Sequence, residues 1–307
     1  MHVLSIEEFD HEQLVKLFKS ADTFRKMIAD PKQRLQLSTR YQGRQLCSLF
    51  YEPSTRTRTS FEKAALNFGM GVVSTENARE FSSSAKGETI EDTIRVLNEY
   101  GFDVIVMRHH ETGAAAQAAT VSKTPVINAG DGAGEHPTQS LLDAYTIYQS
   151  FGRLNNLNVV IGGDLRHGRT VRSLAQLLGR YKGNQINFVS VPELQIGEDI
   201  TMKLKEHGTK FTETAEMYDA LRDADVVYWT RLQKERLADP SVVPKDGFVI
   251  GPTALEVLPI KSIIMHPLPR VGEIDPAVDA NPRAAYFRQA GNGLYMRMAL
   301  IDSILKS

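Results

Sequence analysis

The sequence predicts an α/β protein made of two doubly wound parallel-sheet domains linked by helices. Three observations point there. Short apolar runs alternate with helix-like stretches along the whole chain. Several runs, such as DVIVMR (103–108) and LNVVIGGD (157–164), are β-branched on both faces, as strands covered on both sides of a parallel sheet are. A length of 307 residues suits two domains of ordinary size.

In the first half, strands are expected at QLCSLFYE (45–52), GVVSTE (71–76), DVIVMR (103–108) and PVINAG (125–130). Helices follow at about 54–68, 88–100, 111–120 and 137–151. In the second half the strands are LNVVIGGD (157–164), QINFVSV (185–191), DVVYWT (225–230), FVIGP (248–252) and SIIMHPLP (262–269). Parallel strands need helical crossovers, which is what the alternation supplies. The last stretch, AAYFRQAGNGLYMRMALIDSILK, reads as a helix. The boundary is expected near 150–156, where helix 137–151 runs out into FGRLNN. That gives a first domain over 1–150, with helix 286–307 packing back on it, and a second over 151–285. There is no internal repeat and no low-complexity segment.

Hydrophobic residues make up 42% of the chain and charged residues 24%, with a formal net charge of −1. This is neither a nucleic-acid-binding excess nor a disordered balance. Cys47 is the only cysteine, which excludes an internal disulfide and a cysteine-rich zinc site and fits a reducing compartment. No apolar run reaches the ~18 residues of a membrane span. The N-terminus, MHVLSIEEFDHEQLVKLF, carries acids and no secretory apolar region. The expectation is a soluble cytoplasmic protein with no nucleic-acid or membrane partner; a trimmed protein of an organelle stroma would read the same way.

The densest chemistry lies in STRTRTSFE. A strand ends at Glu52-Pro53, Ser54 stands at an N-cap position, and Phe61, Ala64, Ala65 and Phe68 have helical spacing before Gly69 at the C-terminal cap. A helix start offers free backbone N–H groups and partial positive charge. Ser54, Thr55, Arg56 and Thr57 add side-chain donors suited to a tetrahedral anion. Arg58 has Glu62 four residues on and reads as an ion pair.

Other candidates lie at the carboxyl ends of predicted strands, where open α/β sheets bind ligands. Arg108 ends DVIVMR. NAGDGAGEHPTQ (128–139) is a glycine-rich turn into a helix, with Pro137 at its first position and His136 and Gln139 on one face. By itself His136 is as readily a satisfied structural histidine as a ligand group. GGDLRHGRT (162–170) lacks the spacing of a dinucleotide turn. Arg169 and Arg231 each follow a strand, and singly each reads as a surface ion pair. MHPLPR (265–270) places two prolines around Leu268 in a rigid turn open to a cis bond.

Taken together, STRTRTSFE, AKGETIEDT (85–93), MRH (107–109), NAGDGAGEHPTQSLLD (128–143), GDLRHGRTVRSL (163–174), TRLQKER (230–236), HPLPR (266–270) and the AAYFRQA tail span nearly the whole chain in order. The sequence resembles the aspartate carbamoyltransferase catalytic chains. STRTR and HPTQ are shared across transcarbamoylases and imply carbamoyl phosphate. AKGET, QKER and HPLPR imply aspartate as acceptor; ornithine-specific relatives carry a cysteine in the last motif.

The resemblance implies carbamoyl transfer to the aspartate amine, in pyrimidine synthesis, with no metal or organic cofactor. Ser54, Thr55, Arg56 and Thr57 would hold the phosphate. Thr57, Arg108 and His136 would meet the carbamoyl oxygen. Gln139 and the carbonyls of Pro267 and Leu268 would hold the carbamoyl amine. Arg169, Arg231 and Gln233 would bind the aspartate carboxylates. Ser82 and Lys86 match a mobile loop that enters a neighbouring subunit's site, so a homotrimer is expected; Ala85 stands where some relatives have a second lysine. Glu52 matches a glutamate that bridges to second-domain arginines, here Arg169 and Arg236, when the family's domains close. Trp229 would then report closure. The loop ENAREFSSSAKGET (76–89) resembles the plant-type version. Its Phe81 reads first as a packing residue, and second as a platform for a pyrimidine nucleotide such as UMP. Whether a regulatory chain binds stays open.

Rival readings are a transcarbamoylase for ornithine, which Arg231 and Lys86 oppose, and a phosphate-binding regulatory protein that lost its chemistry. Arg56, Thr57, Arg108, His136 and Lys86 together oppose the second.

Overall fold

The computed structural model describes residues 1–81, 83–132, 134–232 and 248–306, with the backbone alone at 81, 83 and 84. The chain forms two compact units, Met1–Leu142 with Gly291–Ser307, and Asp143–Ala290.

The first unit carries β1 (Gln45–Phe50), β2 (Gly71–Glu76), β3 (Val104–His109) and β4 (Val126–Asp131), ordered β2-β1-β3-β4 and all parallel. The second carries β5 (Asn158–Gly162), β6 (Gln185–Val189), β7 (Lys210–Thr214), β8 (Val226–Trp229) and β9 (Ile263–Met265), ordered β7-β6-β5-β8-β9 and again parallel. Both sheets are doubly wound, as the alternation predicts. In the first unit the helices are α1 (His11–Ala29), α2 (Pro31–Leu37), α3 (Thr55–Asn67), α4 (Ala78–Phe81), α5 (Ile90–Tyr100) and α6 (Ala114–Val121). The second holds α8 (Arg169–Gly179), α9 (Glu198–Glu206), α10 (Met217–Leu221) and α11 (Pro252–Val257). The chain passes between units inside α7 (Pro137–Phe151) and again inside α12 (Tyr286–Lys306).

Apolar, β-branched content explains which strands were legible. β3, β4, β8 and β9 are buried throughout, and β1 and β5 nearly so. Burying a large apolar side chain such as Phe50 or Phe188 contributes about 1.5–3 kcal/mol each. The edge strand β7, KFTET, is mostly exposed and polar, and its sequence has no apolar run to announce it. FVIGP is expected as a strand but is not one. Phe248 has φ 42°, outside the extended region, and Pro252 opens α11, so only an isolated bridge, Ile250 to Ile274, remains. α1 and α2 were not foreseen; Asp10 starts α1 by accepting the Gln13 N–H at 2.8 Å in a capping box.

The second-unit core includes Val160, Val227, Trp229, Ile250 and Tyr286. In the first, Leu49, Ile94, Ile105 and Met107 pack with Cys47, whose thiol burial pushes up to about 12. Among the described residues no helix is long and apolar enough to cross a membrane.

Candidate active site

In each sheet one pair of neighbouring strands has successors that leave in opposite directions, and ligands bind at the carboxyl ends of such a pair. The pairs are β1/β3 and β5/β8.

At the first switch point the chain leaves β1 at Phe50, turns through Tyr51–Pro53 and enters α3. Ser54 is the N-cap, with extended backbone at φ −157° and no cap bond from its side chain. Its hydroxyl is not spent on the helix, and the first three helical N–H groups, of Thr55, Arg56 and Thr57, have no acceptor within α3. The first turn carries no acid that would compete with an anion. Thr57 is buried and Arg56 exposed.

Arg108 sits opposite Phe50 in the β1/β3 register, and its carbonyl accepts the Tyr51 N–H at 2.8 Å. The residue is 7% exposed. One guanidinium nitrogen lies 3.0 Å from Glu52 Oε2 and another donates to the Ala129 carbonyl at 3.4 Å. Arg108 thus binds to the ends of β1, β3 and β4 at once. Arg58 is spent elsewhere, on Glu62 at 3.2 Å and Glu76 at 2.7 Å, as its spacing implied.

His136, 3% exposed, closes the turn after β4, and the Gln139 N–H donates to its carbonyl at 2.9 Å. The turn is built from inside. Gly132 has φ 50°, and a Cβ there would stand 2.6 Å from the His110 carbonyl oxygen. Asp131 Oδ1 accepts the Glu135 N–H and Oδ2 the Gly113 N–H, both at 2.9 Å. Glu135 in turn accepts from Ser5 Oγ at 2.8 Å and Ile6 N–H at 3.0 Å, tying the turn to the N-terminal segment. Lys86 is exposed on the 3₁₀ turn Ser83–Lys86; among the described residues no hydrogen bond or ion pair joins it to Ser54–Thr57. Ser82 and the Phe81 side chain lie outside the described residues.

At the second switch point the structure gathers what the sequence scattered. A cavity of about 480 Å³ is lined by Arg169, Arg231, Pro267 and Leu268, with Asp164, Thr230 and His266 among its walls. Arg169 is the first residue of α8, and Arg231 follows β8 by two positions. Gly163, at φ 110°, lets the strands close up, since a Cβ there would stand 2.2 Å from the Thr230 carbonyl oxygen. Thr230 donates its N–H to Gly162 O at 2.9 Å. Two guanidinium forks beside a turn of backbone carbonyls suit a small, doubly anionic molecule that also donates protons. The Leu268–Pro269 peptide is cis. Arg270 turns away to Asp279, 2.6 Å at Oδ2, and to the Tyr286 hydroxyl at 3.2 Å. Gln233 and Arg236 lie outside the described residues. Trp229 is fully buried, and its Nε1–H donates to Phe248 O at 2.6 Å, which makes it a core residue of its own unit.

Sequence reasoning missed the residues that hold these groups: Asp131, Glu135, Thr230 and His266. The one available signal was that several stand inside quoted motifs.

The family model described as aspartate/ornithine carbamoyltransferase, carbamoyl-P binding domain, matches residues 1–149. The one described as its Asp/Orn binding domain matches residues 155–304. Chloroplastic aspartate carbamoyltransferase of Arabidopsis thaliana is 48% identical over 306 residues, 99% of this chain and 77% of that one. The catalytic subunit of M. jannaschii aspartate transcarbamoylase superposes with a TM-score of 0.89 at 42% identity, covering 99% and 98% of the two chains. Trypanosoma cruzi aspartate transcarbamoylase in complex with N-(phosphonacetyl)-L-aspartic acid gives 0.90 at 39%, covering 97% and 94%.

Proposed function

The chain belongs to the aspartate/ornithine carbamoyltransferase family, and from that membership we propose how its residues divide the work. The reaction is transfer of the carbamoyl group of carbamoyl phosphate to the amine of L-aspartate, giving N-carbamoyl-L-aspartate and phosphate, in pyrimidine biosynthesis.

Residues 1–150, with helix 286–307, bind carbamoyl phosphate, and 151–285 bind aspartate. The start of α3 takes the phosphate on backbone N–H groups and on Ser54, Thr55, Arg56 and Thr57. Thr57, Arg108 and His136 stabilise the carbamoyl oxygen as it becomes an oxyanion. Gln139 and the carbonyls of Pro267 and Leu268 orient the carbamoyl amine. Arg169 and Arg231, with Gln233, take the two carboxylates. The amine lone pair attacks the carbamoyl carbon, the bond from that carbon to the phosphate oxygen breaks, and the amine loses a proton to a base, for which a phosphate oxygen of the substrate is one candidate. Positioning and electrostatics do this without a covalent intermediate. The observation that carries the acceptor assignment is the single cavity holding Arg169, Arg231, Pro267 and Leu268. A guanidinium pair suits a dicarboxylate and repels the second ammonium of ornithine.

Ser82 and Lys86 complete the site of a neighbouring copy in a homotrimer. UMP, which shares a phosphate with the substrate, occupies the same site with its ring on Phe81. The chain works in the cytoplasm, or in an organelle stroma if trimmed; the Arabidopsis relative is chloroplastic.

The first measurement is carbamoyl transfer by the purified chain with L-aspartate and with L-ornithine. Turnover with aspartate alone is expected; turnover with ornithine would overturn the acceptor half of the reading. Solution mass during the same preparation separates a trimer from a monomer and from an assembly with a regulatory chain. Equal UMP inhibition of wild type and Phe81→Ala would remove the nucleotide role.

A further inference from the structure

The turn that lines the cavity with Pro267 and Leu268 is held by a carboxylate. His266 is 2% exposed and Glu273 8%. His266 Nδ1 accepts the Leu268 N–H at 2.7 Å. With Nδ1 engaged as an acceptor, the ring proton sits on Nε2, which donates to Glu273 Oε1 at 2.8 Å. The second oxygen, Oε2, accepts the Val271 N–H at 2.8 Å. One carboxylate therefore grips the turn at its middle, through the His266 ring, and at its end, at Val271. Burial pushes the Glu273 carboxyl up, but the donors of His266 and Val271 outweigh it and hold the group below the usual range, so it is charged.

The turn needs this grip. Leu268 has φ 47°, a region that a residue with a branched side chain seldom enters. The start of the turn is pinned separately: the His266 N–H donates to Gln289 Oε1 at 2.8 Å, and Gln289 Nε2 donates to buried Asp143 at 2.6 Å. Gln289 thus fixes where the turn begins, while the ring and Glu273 fix its middle and end.

We propose that Glu273 is a positioning residue for carbamoyl transfer: through the Nε2–H tautomer of His266 it holds the Pro267 and Leu268 carbonyls where the carbamoyl amine binds. This rests on the role given to those carbonyls above. Glu273 itself touches no substrate. A carboxylate is required because both of its oxygens accept. A glutamine offers one acceptor and one NH₂ group, so it cannot accept from both His266 and Val271.

The test compares carbamoyl phosphate with acetyl phosphate, in which a methyl replaces the amine, on the full chain in its native assembly. Wild type should prefer carbamoyl phosphate, because a methyl cannot donate to carbonyls. In Glu273→Gln that preference should shrink about tenfold, the scale of one lost hydrogen bond, with a similar fall in kcat. Affinities for acetyl phosphate and inorganic phosphate should stay unchanged. Glu273→Asp keeps two acceptors on a shorter arm and should recover part of the preference; it carries the test if the glutamine variant does not fold. In a His266→Asn background Glu273→Gln should add nothing. Equal weakening of both acyl phosphates would mean a merely structural role and overturn the proposal, as would an unchanged preference. If wild type itself shows no preference, the carbonyl assignment fails first and takes the role of Glu273 with it.

Discussion

The two switch points offer an anion different chemistry. At the first, the proposed binding groups are the start of α3 and side chains at the strand ends. At the second, they are two guanidinium forks and a turn of carbonyls around one cavity. A phosphate is tetrahedral, so converging backbone N–H groups and hydroxyls satisfy it. A carboxylate is planar, and a guanidinium matches it two bonds at a time. The lesson is that a parallel sheet chooses where a ligand binds, while the residue after each strand chooses which.

That contrast can be broken most sharply at Arg108. It binds to three strand ends and is given the developing oxyanion, so Arg108→Ala should lower kcat by ~10²–10³. Steady-state rates at saturating substrates, with circular dichroism as a folding check, decide this; a change confined to KM would move Arg108 from transition-state stabilisation to ground-state binding.

Arg231 tests the other half. Arg231→Ala should raise the KM for aspartate ~10–100-fold, the cost of a lost charge-assisted pair. Carbamoyl phosphate affinity, measured by calorimetry, should not move. If it falls too, the two halves do not divide the substrates.

Glu52 sharpens the comparison. Its carboxylate pairs with Arg108 at 3.0 Å within the first unit, while the resemblance implies a bridge to second-domain arginines on closure. Glu52→Ala should weaken apparent aspartate affinity about tenfold, as one lost charged bond would, and leave carbamoyl phosphate binding intact or slightly tighter. Unchanged aspartate affinity in this variant would sink that role.

The smallest effect is on stability and belongs to the second unit. Asp279 is held down to about 2 by hydrogen bonds from Arg270 and Tyr286. Its contribution is present above its ordinary 3.8 and is lost as pH falls toward 2. Burial, with Asp279, pushes Tyr286 up to about 12 from 10, so its contribution is complete below pH 10 and is lost as pH rises to 12. Chemical denaturation of Tyr286→Phe should show a flatter stability profile between those alkaline limits than wild type; an identical slope would mean Tyr286 ionises as freely in the fold as in the unfolded chain.

By itself the sequence determined the parallel α/β class, most of the buried strands and the start of α3. These are local facts: an apolar, β-branched run or a row of donors after a strand is written in neighbouring residues. It also placed Arg108, His136, Arg169, Arg231 and Pro267–Leu268 at or just beyond the carboxyl ends of strands, where such sheets bind ligands. Only the tertiary structure decided that β7 is a strand, because a polar edge gains its order from a partner's ladder, and that FVIGP is not. It alone decided that Arg169 and Arg231 line one cavity with Pro267 and Leu268, and that Glu52 pairs with Arg108. It alone set Glu135 on Ser5, 130 residues away, and Glu273 behind His266. A buried carboxylate must find its donors wherever the fold brings them, and spacing along a chain carries no record of that search.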